Sequence, residues 1–176
     1  YGFSNNYQYK DNIQIKNSFN EDPIVIIGAS CIFPYDIYSM KDLWEKLING
    51  HDGIRTIKEL DNLPCGFIDN FYFDHNKFNI SKKEAESMDP QQIISLVLAD
   101  MLFKDSNLKK EELWGTKTGV YIGAWNTDFE GNKKSAYYAL GKNNSIISAR
   151  ISSHYNLIGP SKVINTACSS SLECVY

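Results

Sequence analysis

The chain has 176 residues, 43% of them hydrophobic and 13% aromatic, enough for one core of ordinary single-domain size and without an apolar run long enough to span a bilayer. Its 18 Lys and Arg against 21 Asp and Glu give a formal charge of -3, which leaves no basic stripe for nucleic acid and no cationic face for a membrane surface. Cys31, Cys65, Cys168 and Cys174 contain no C-x-x-C pair, so neither a disulfide framework nor a zinc site is indicated, and a cytoplasmic, reducing setting fits.

Residues 1–21 are polar, asparagine-rich and aperiodic, and read as a leader or linker. The continuous apolar run 24–28 predicts a central strand covered on both faces. Ser39 then caps a helix carrying Met40, Leu43, Trp44, Leu47 and Ile48 on one face, with Asn49-Gly50 as its stop. Ser81 with Glu84, and Asp89 with Gln92, form two capping-box patterns, and Pro90 occupies the favoured first helical position. The second box opens the longest predicted helix, whose Ile94, Val97, Leu98, Met101 and Leu102 fall on one stripe expected to be buried. A strand over 118–124, a helix around 145–155, a break at Gly159-Pro160 and a strand over 162–166 follow. Helix-compatible spacing of Leu172 and Val175 begins at Ser169. The alternation predicts an α/β fold with mostly parallel pairing and helices on both faces.

Cys168 therefore falls at a strand-to-helix turn. Small neighbours, Ala167 and Ser169 to Ser171, allow a tight turn and leave the sulfur approachable, and backbone N–H groups at such a turn can stabilise an oxyanion. A lone cysteine beside serines is more commonly a buried structural residue. The surrounding motifs argue for the other reading. Asp22-Pro23-Ile24-Val25-Ile26-Ile27-Gly28, Leu43-Trp44-Glu45, Gly66-Phe67-Ile68-Asp69, Glu84-Ala85-Glu86-Ser87-Met88-Asp89-Pro90-Gln91-Gln92, Thr118-Gly119-Val120-Tyr121-Ile122-Gly123, Gly159-Pro160-Ser161 and Thr166-Ala167-Cys168-Ser169-Ser170-Ser171 occur in one order. That series resembles the N-terminal part of the β-ketoacyl synthase domain of modular polyketide synthases and animal-type fatty acid synthases.

The resemblance implies a thiolase-like fold over 22–176 and a condensing enzyme. Cys168 would be the acyl-thioester nucleophile, and its own backbone N–H one oxyanion donor. The family works with phosphopantetheine-bound acyl groups on an acyl carrier protein, as a ketosynthase homodimer, so these are the implied partners; no cofactor-binding or metal-binding residue is implied within this segment. The family also uses two histidines and a lysine from the later half of the domain, and His51, His75 and His154 match none of them. Departures are visible as well: Ile93, Val97 and Asp100 replace an arginine and a Glu-x-x-Trp pattern, and Asn165 stands where aspartate is usual.

The expectation is a ketosynthase segment inactive by itself and marginally stable in isolation, a fragment or remnant ending just after the nucleophile. The alternative is a noncatalytic remnant that pairs with an intact synthase. A dinucleotide-binding reading fails because Gly28-Ala29-Ser30 lacks G-x-G-x-x-G spacing, and a papain-like reading fails because its local signature is absent around Cys168.

Overall fold

The computed structural model describes residues 24–58, 61–69 and 71–176, and the expected leader over 1–21 lies outside them. In chain order the elements are helix α1 (Met40–Ile48), strands β1 (Ile54–Ile57) and β2 (Leu63–Gly66), and helices α2 (Lys82–Ala85), α3 (Pro90–Asp105) and α4 (Lys110–Leu113). Strand β3 (Val120–Gly123), helices α5 (Tyr138–Lys142) and α6 (Ile146–Tyr155), strand β4 (Ser161–Ile164) and helix α7 (Ser170–Glu173) complete it. No described helix is long and apolar enough to cross a membrane.

The helix starts at Ser39, Ser81 and Asp89 were read correctly, but neither expected capping box closes: Asp89 N donates to the Gly141 carbonyl at 2.8 Å rather than to Gln92, whose side chain is buried. Ser39 Oγ accepts from Asp42 N at 3.0 Å and starts α1. Asp89 Oδ1 accepts from Gln91 N at 2.7 Å, with Pro90 opening α3. At Ser81 only half of the expected box forms: the hydroxyl accepts from Glu84 N at 3.2 Å, while the Glu84 carboxylate accepts from Arg150 Nη1 at 2.6 Å. A nearly buried guanidinium is a stronger partner than an exposed backbone amide.

Two expectations about burial are corrected. Residues 24–28 form no strand, and Ile24 to Ile27 are exposed. An apolar run becomes a strand only where an edge pairs with it, and here the chain is held from its next residues onward: Ala29 N donates to Asp105 Oδ2 at 2.8 Å and Ser30 Oγ to the Leu98 carbonyl at 2.9 Å. In α3 the buried positions are Gln92, Leu96 and Ala99 rather than the predicted stripe. This helix is apolar nearly all round, so periodicity does not choose its face. Gln92 chooses it. Its side chain is 0% exposed, and its amide donates to the carbonyls of Leu140, Gly141 and Asn143 at 2.9–3.2 Å while Oε1 accepts from Arg150 Nε at 2.6 Å. Leu98 and Leu102 turn instead toward an open apolar groove shared with β3 and Cys174.

Strands β3 and β4 pair in parallel, with Val120 opposite Ser161 and Gly123 opposite Ile164. The long connection through α5 and α6 is what a parallel pair requires. The antiparallel β1–β2 pair was not anticipated. Asp61 and Asn62, both at positive φ (53° and 60°), lie in its connection, and these two residue types tolerate left-handed backbone best after glycine.

The core gathers Phe78, Met88, Leu96, Leu113, Val120, Ile151 and Tyr155 between α3, α6 and β3. Ile93 and Val97 pack against it, and Asp100 pairs with Lys77 and Lys104 at its rim. Burial pushes the Tyr155 phenol up to about 12 from its ordinary 10.0, with the Asp100 charge adding. Raised in the folded state, this group stabilises the fold fully below pH 10 and loses that contribution as the pH climbs from there toward 12. Urea titrations at pH 9 and pH 11 should show stability falling in wild type and falling less in Tyr155→Phe.

Candidate active site

Cys168 lies where the sequence places it, in a 3-10 turn over Ala167–Ser169 between β4 and α7. The residue is exposed, and its backbone N–H has no acceptor among the described residues. The residue before it takes an unusual backbone conformation. Ala167 has φ +53°, a left-handed conformation that costs an alanine about 1–2 kcal/mol. Such a kink persists only where its surroundings over-determine it.

Here they do. Asn165 Oδ1 accepts from Ala167 N at 3.2 Å, and Ser170 Oγ donates to the Ala167 carbonyl at 2.7 Å, so both peptide groups of the strained residue are clamped. Ser170, which is buried, also accepts from Thr166 N at 2.9 Å. Ser169 Oγ donates to the Thr166 carbonyl at 2.9 Å. The serine run thus supplies turn bonds as well as small volume.

The turn is seated on the end of β3. A Cβ placed on Gly123 would meet the Ser170 and Ser171 backbone at 2.9 Å, so only glycine lets α7 approach this closely. Beyond it, the Trp125 carbonyl accepts from Asn165 Nδ2 at 3.3 Å and from Asn144 Nδ2 at 3.1 Å. The loop that carries Trp125 is itself tied to the start of α3, through Gln91 Nε2 to the Asn126 carbonyl at 2.9 Å and Thr127 Oγ1 to Asp89. Sequence reading singled out Cys168 but not this support. Gly123, at the end of a strand, was the visible signal for a close approach.

The three histidines are committed elsewhere. His51 N donates to the Lys46 carbonyl at 3.0 Å past the end of α1, and its ring lies beside Tyr35. His75 Nδ1 is 2.7 Å from the Ile80 carbonyl. His154 packs against Phe78 and Tyr155, with Lys110 Nζ 3.2 Å from Nε2; burial lowers its pKa, and the Lys110 charge lowers it further. Cys174 is partly buried on the groove, where desolvation raises its thiol pKa and Glu173 adds to the effect.

A family model described as beta-ketoacyl synthase, N-terminal domain, matches residues 21–176. Polyketide synthase 37 of Dictyostelium discoideum is 33% identical over 195 residues, a match covering 99% of this chain and 7% of that protein. Highly reducing polyketide synthase 40 of Fusarium pseudograminearum is 34% identical over 181 residues, covering 88% of this chain and 7% of that protein. Among solved structures, the ketosynthase from module 6 of the bacillaene synthase of Bacillus subtilis superimposes with a TM-score of 0.74 at 32% identity, over 85% of this chain and 27% of that one. An oxazolomycin ketosynthase domain from Streptomyces albus shares the fold, with a TM-score of 0.75 at 24% identity over 88% of this chain and 31% of its own. The chain thus spans about 7% of the length of these two curated relatives.

Proposed function

Because the chain belongs to the β-ketoacyl synthase family and has the thiolase-like fold of polyketide synthase ketosynthase domains, we propose that Cys168 accepts the acyl chain. Its thiolate attacks the carbonyl of a carrier-bound thioester, the carbonyl electrons move onto oxygen, and collapse of that oxyanion expels the carrier thiolate to leave an acyl-Cys168 thioester. The observation that carries this is an exposed thiol whose own N–H has no acceptor among the described residues and can donate to the oxyanion. The donor would be a phosphopantetheine thioester on an acyl carrier protein, and the working assembly a ketosynthase homodimer.

The second half-reaction is decarboxylation of a malonyl-type extender and attack of the resulting carbanion on the acyl-Cys168 carbonyl, which returns the thiolate. It needs groups that this chain's histidines do not supply, so we assign the chain the loading half alone. The test is incubation with an acyl-N-acetylcysteamine thioester followed by peptide mass mapping. The acyl mass should appear on the peptide holding Cys168 and not on those holding Cys31, Cys65 or Cys174. An adduct confined to another cysteine would overturn the assignment. A second reading, pairing with an intact synthase without chemistry of its own, draws on the exposed Trp44, Leu47 and Ile48 face of α1. No adduct at all would favour that reading.

A further inference from the structure

Asn165 is exposed, lies three residues before the nucleophile and makes two bonds of opposite sense. Its Oδ1 accepts from the N–H of the strained Ala167 at 3.2 Å, and its Nδ2 donates to the Trp125 carbonyl at 3.3 Å. One amide orientation satisfies both partners and the flipped one satisfies neither, because an N–H can only donate and a carbonyl only accept. An aspartate here would keep the first bond and turn a carboxylate toward a carbonyl oxygen at the second. An alanine would lose both.

The two ends of the Ala167 clamp are not equivalent. Ser170 holds the carbonyl side from a buried position within the turn itself. Asn165 holds the N–H side and carries the restraint across to the chain leaving β3, where Asn144 donates to the same Trp125 carbonyl. Through Gln91 and Asp89 that loop is fixed to α3. The left-handed residue that aims Cys168 is therefore referenced to the helix in the core through one side-chain amide.

We propose that Asn165 is a positioning residue for acyl loading: by accepting from Ala167 and donating to Trp125 it fixes the turn that presents the Cys168 sulfur and N–H to the incoming thioester. The inference rests on the reading of Cys168 as the acyl acceptor. Asn165 does not touch the acyl group. Its loss leaves the thiol exposed and intact but no longer held in the attack geometry, and misplacement on the scale of an ångström costs about 100-fold in rate.

The test uses the protein as wild type, Asn165→Ala and Asn165→Asp, with an acyl-N-acetylcysteamine thioester for loading and iodoacetamide as a small probe of the thiol. Loading at Cys168 should fall roughly 10- to 100-fold in kcat in Asn165→Ala and by no more than a few-fold in Asn165→Asp, which keeps the acceptor for the Ala167 N–H and is the residue usual at this place in the family, with KM within about twofold and thermal melts superimposed on wild type because Asn165 is a surface side chain. Alkylation of Cys168 in Asn165→Ala should stay within about twofold of wild type, since the sulfur remains exposed; a collapsed or unfolded turn would change alkylation and the melt together. Wild type that loads Cys168 while Asn165→Ala loads at the same rate overturns the positioning role and leaves the nucleophile standing. Wild type that does not load Cys168 removes both.

Discussion

On the proposed loading role, Cys168→Ala should abolish covalent acyl loading of this chain while leaving the fold unchanged. The side chain is exposed and makes no hydrogen bond among the described residues, so its truncation falls in the class of surface changes worth less than about 0.5 kcal/mol. The turn is held by Asn165, Thr166, Ser169 and Ser170, none of which contacts the sulfur through a hydrogen bond. Intact-mass measurement after thioester incubation reads the first effect and a thermal melt the second. An alanine variant that still gained the acyl mass would place the acceptor elsewhere.

Gly141→Ala should do the reverse and remove the fold. A Cβ at this position would lie 1.7 Å from the Ser87 carbonyl oxygen and 2.6 Å from its carbon. Backbone is the obstacle, so no rotamer change relieves it and α5 must withdraw from the corner between α2 and α3. Withdrawal strains the bond from Asp89 N to the Gly141 carbonyl, 2.8 Å, and the bond that buried Gln92 makes to the same oxygen, 2.9 Å. Overpacking of this kind costs about 1–3 kcal/mol, and a buried amide left short of partners about 1–3 more. The expected loss is about 2–6 kcal/mol, read as a lower urea midpoint or as failure to recover soluble protein. An unchanged midpoint would mean that the corner is far softer than its geometry implies.

These two positions divide the molecule by range of interaction. Cys168 was legible in the sequence because its context is local: small residues on either side, a strand before and a helix after. Gly141 was not singled out, since nothing within four residues of it announces Ser87 as a neighbour. The same division runs through the helices. Ser39, Ser81 and Asp89-Pro90 were read as helix starts because a cap is bonded within three residues of itself. The buried face of α3 was misread because its partners, the carbonyls of Leu140, Gly141 and Asn143 and the Arg150 guanidinium, lie 48 to 58 residues away.

By itself, then, the sequence determined the family, the starts of α1, α2 and α3, the β3 and β4 strands and the place of Cys168 at a strand-to-helix turn, all of which are written in near neighbours or in ordered motifs. Only the tertiary structure decided which face of α3 is buried, left Ile24 to Ile27 exposed, paired β1 with β2, and joined Asn165 to Trp125. The physical reason is that a hydrogen-bond donor or an apolar run states what it needs but not which distant group will meet it. Gln92 and Asn165 each had several possible partners along the chain, and packing chose among them.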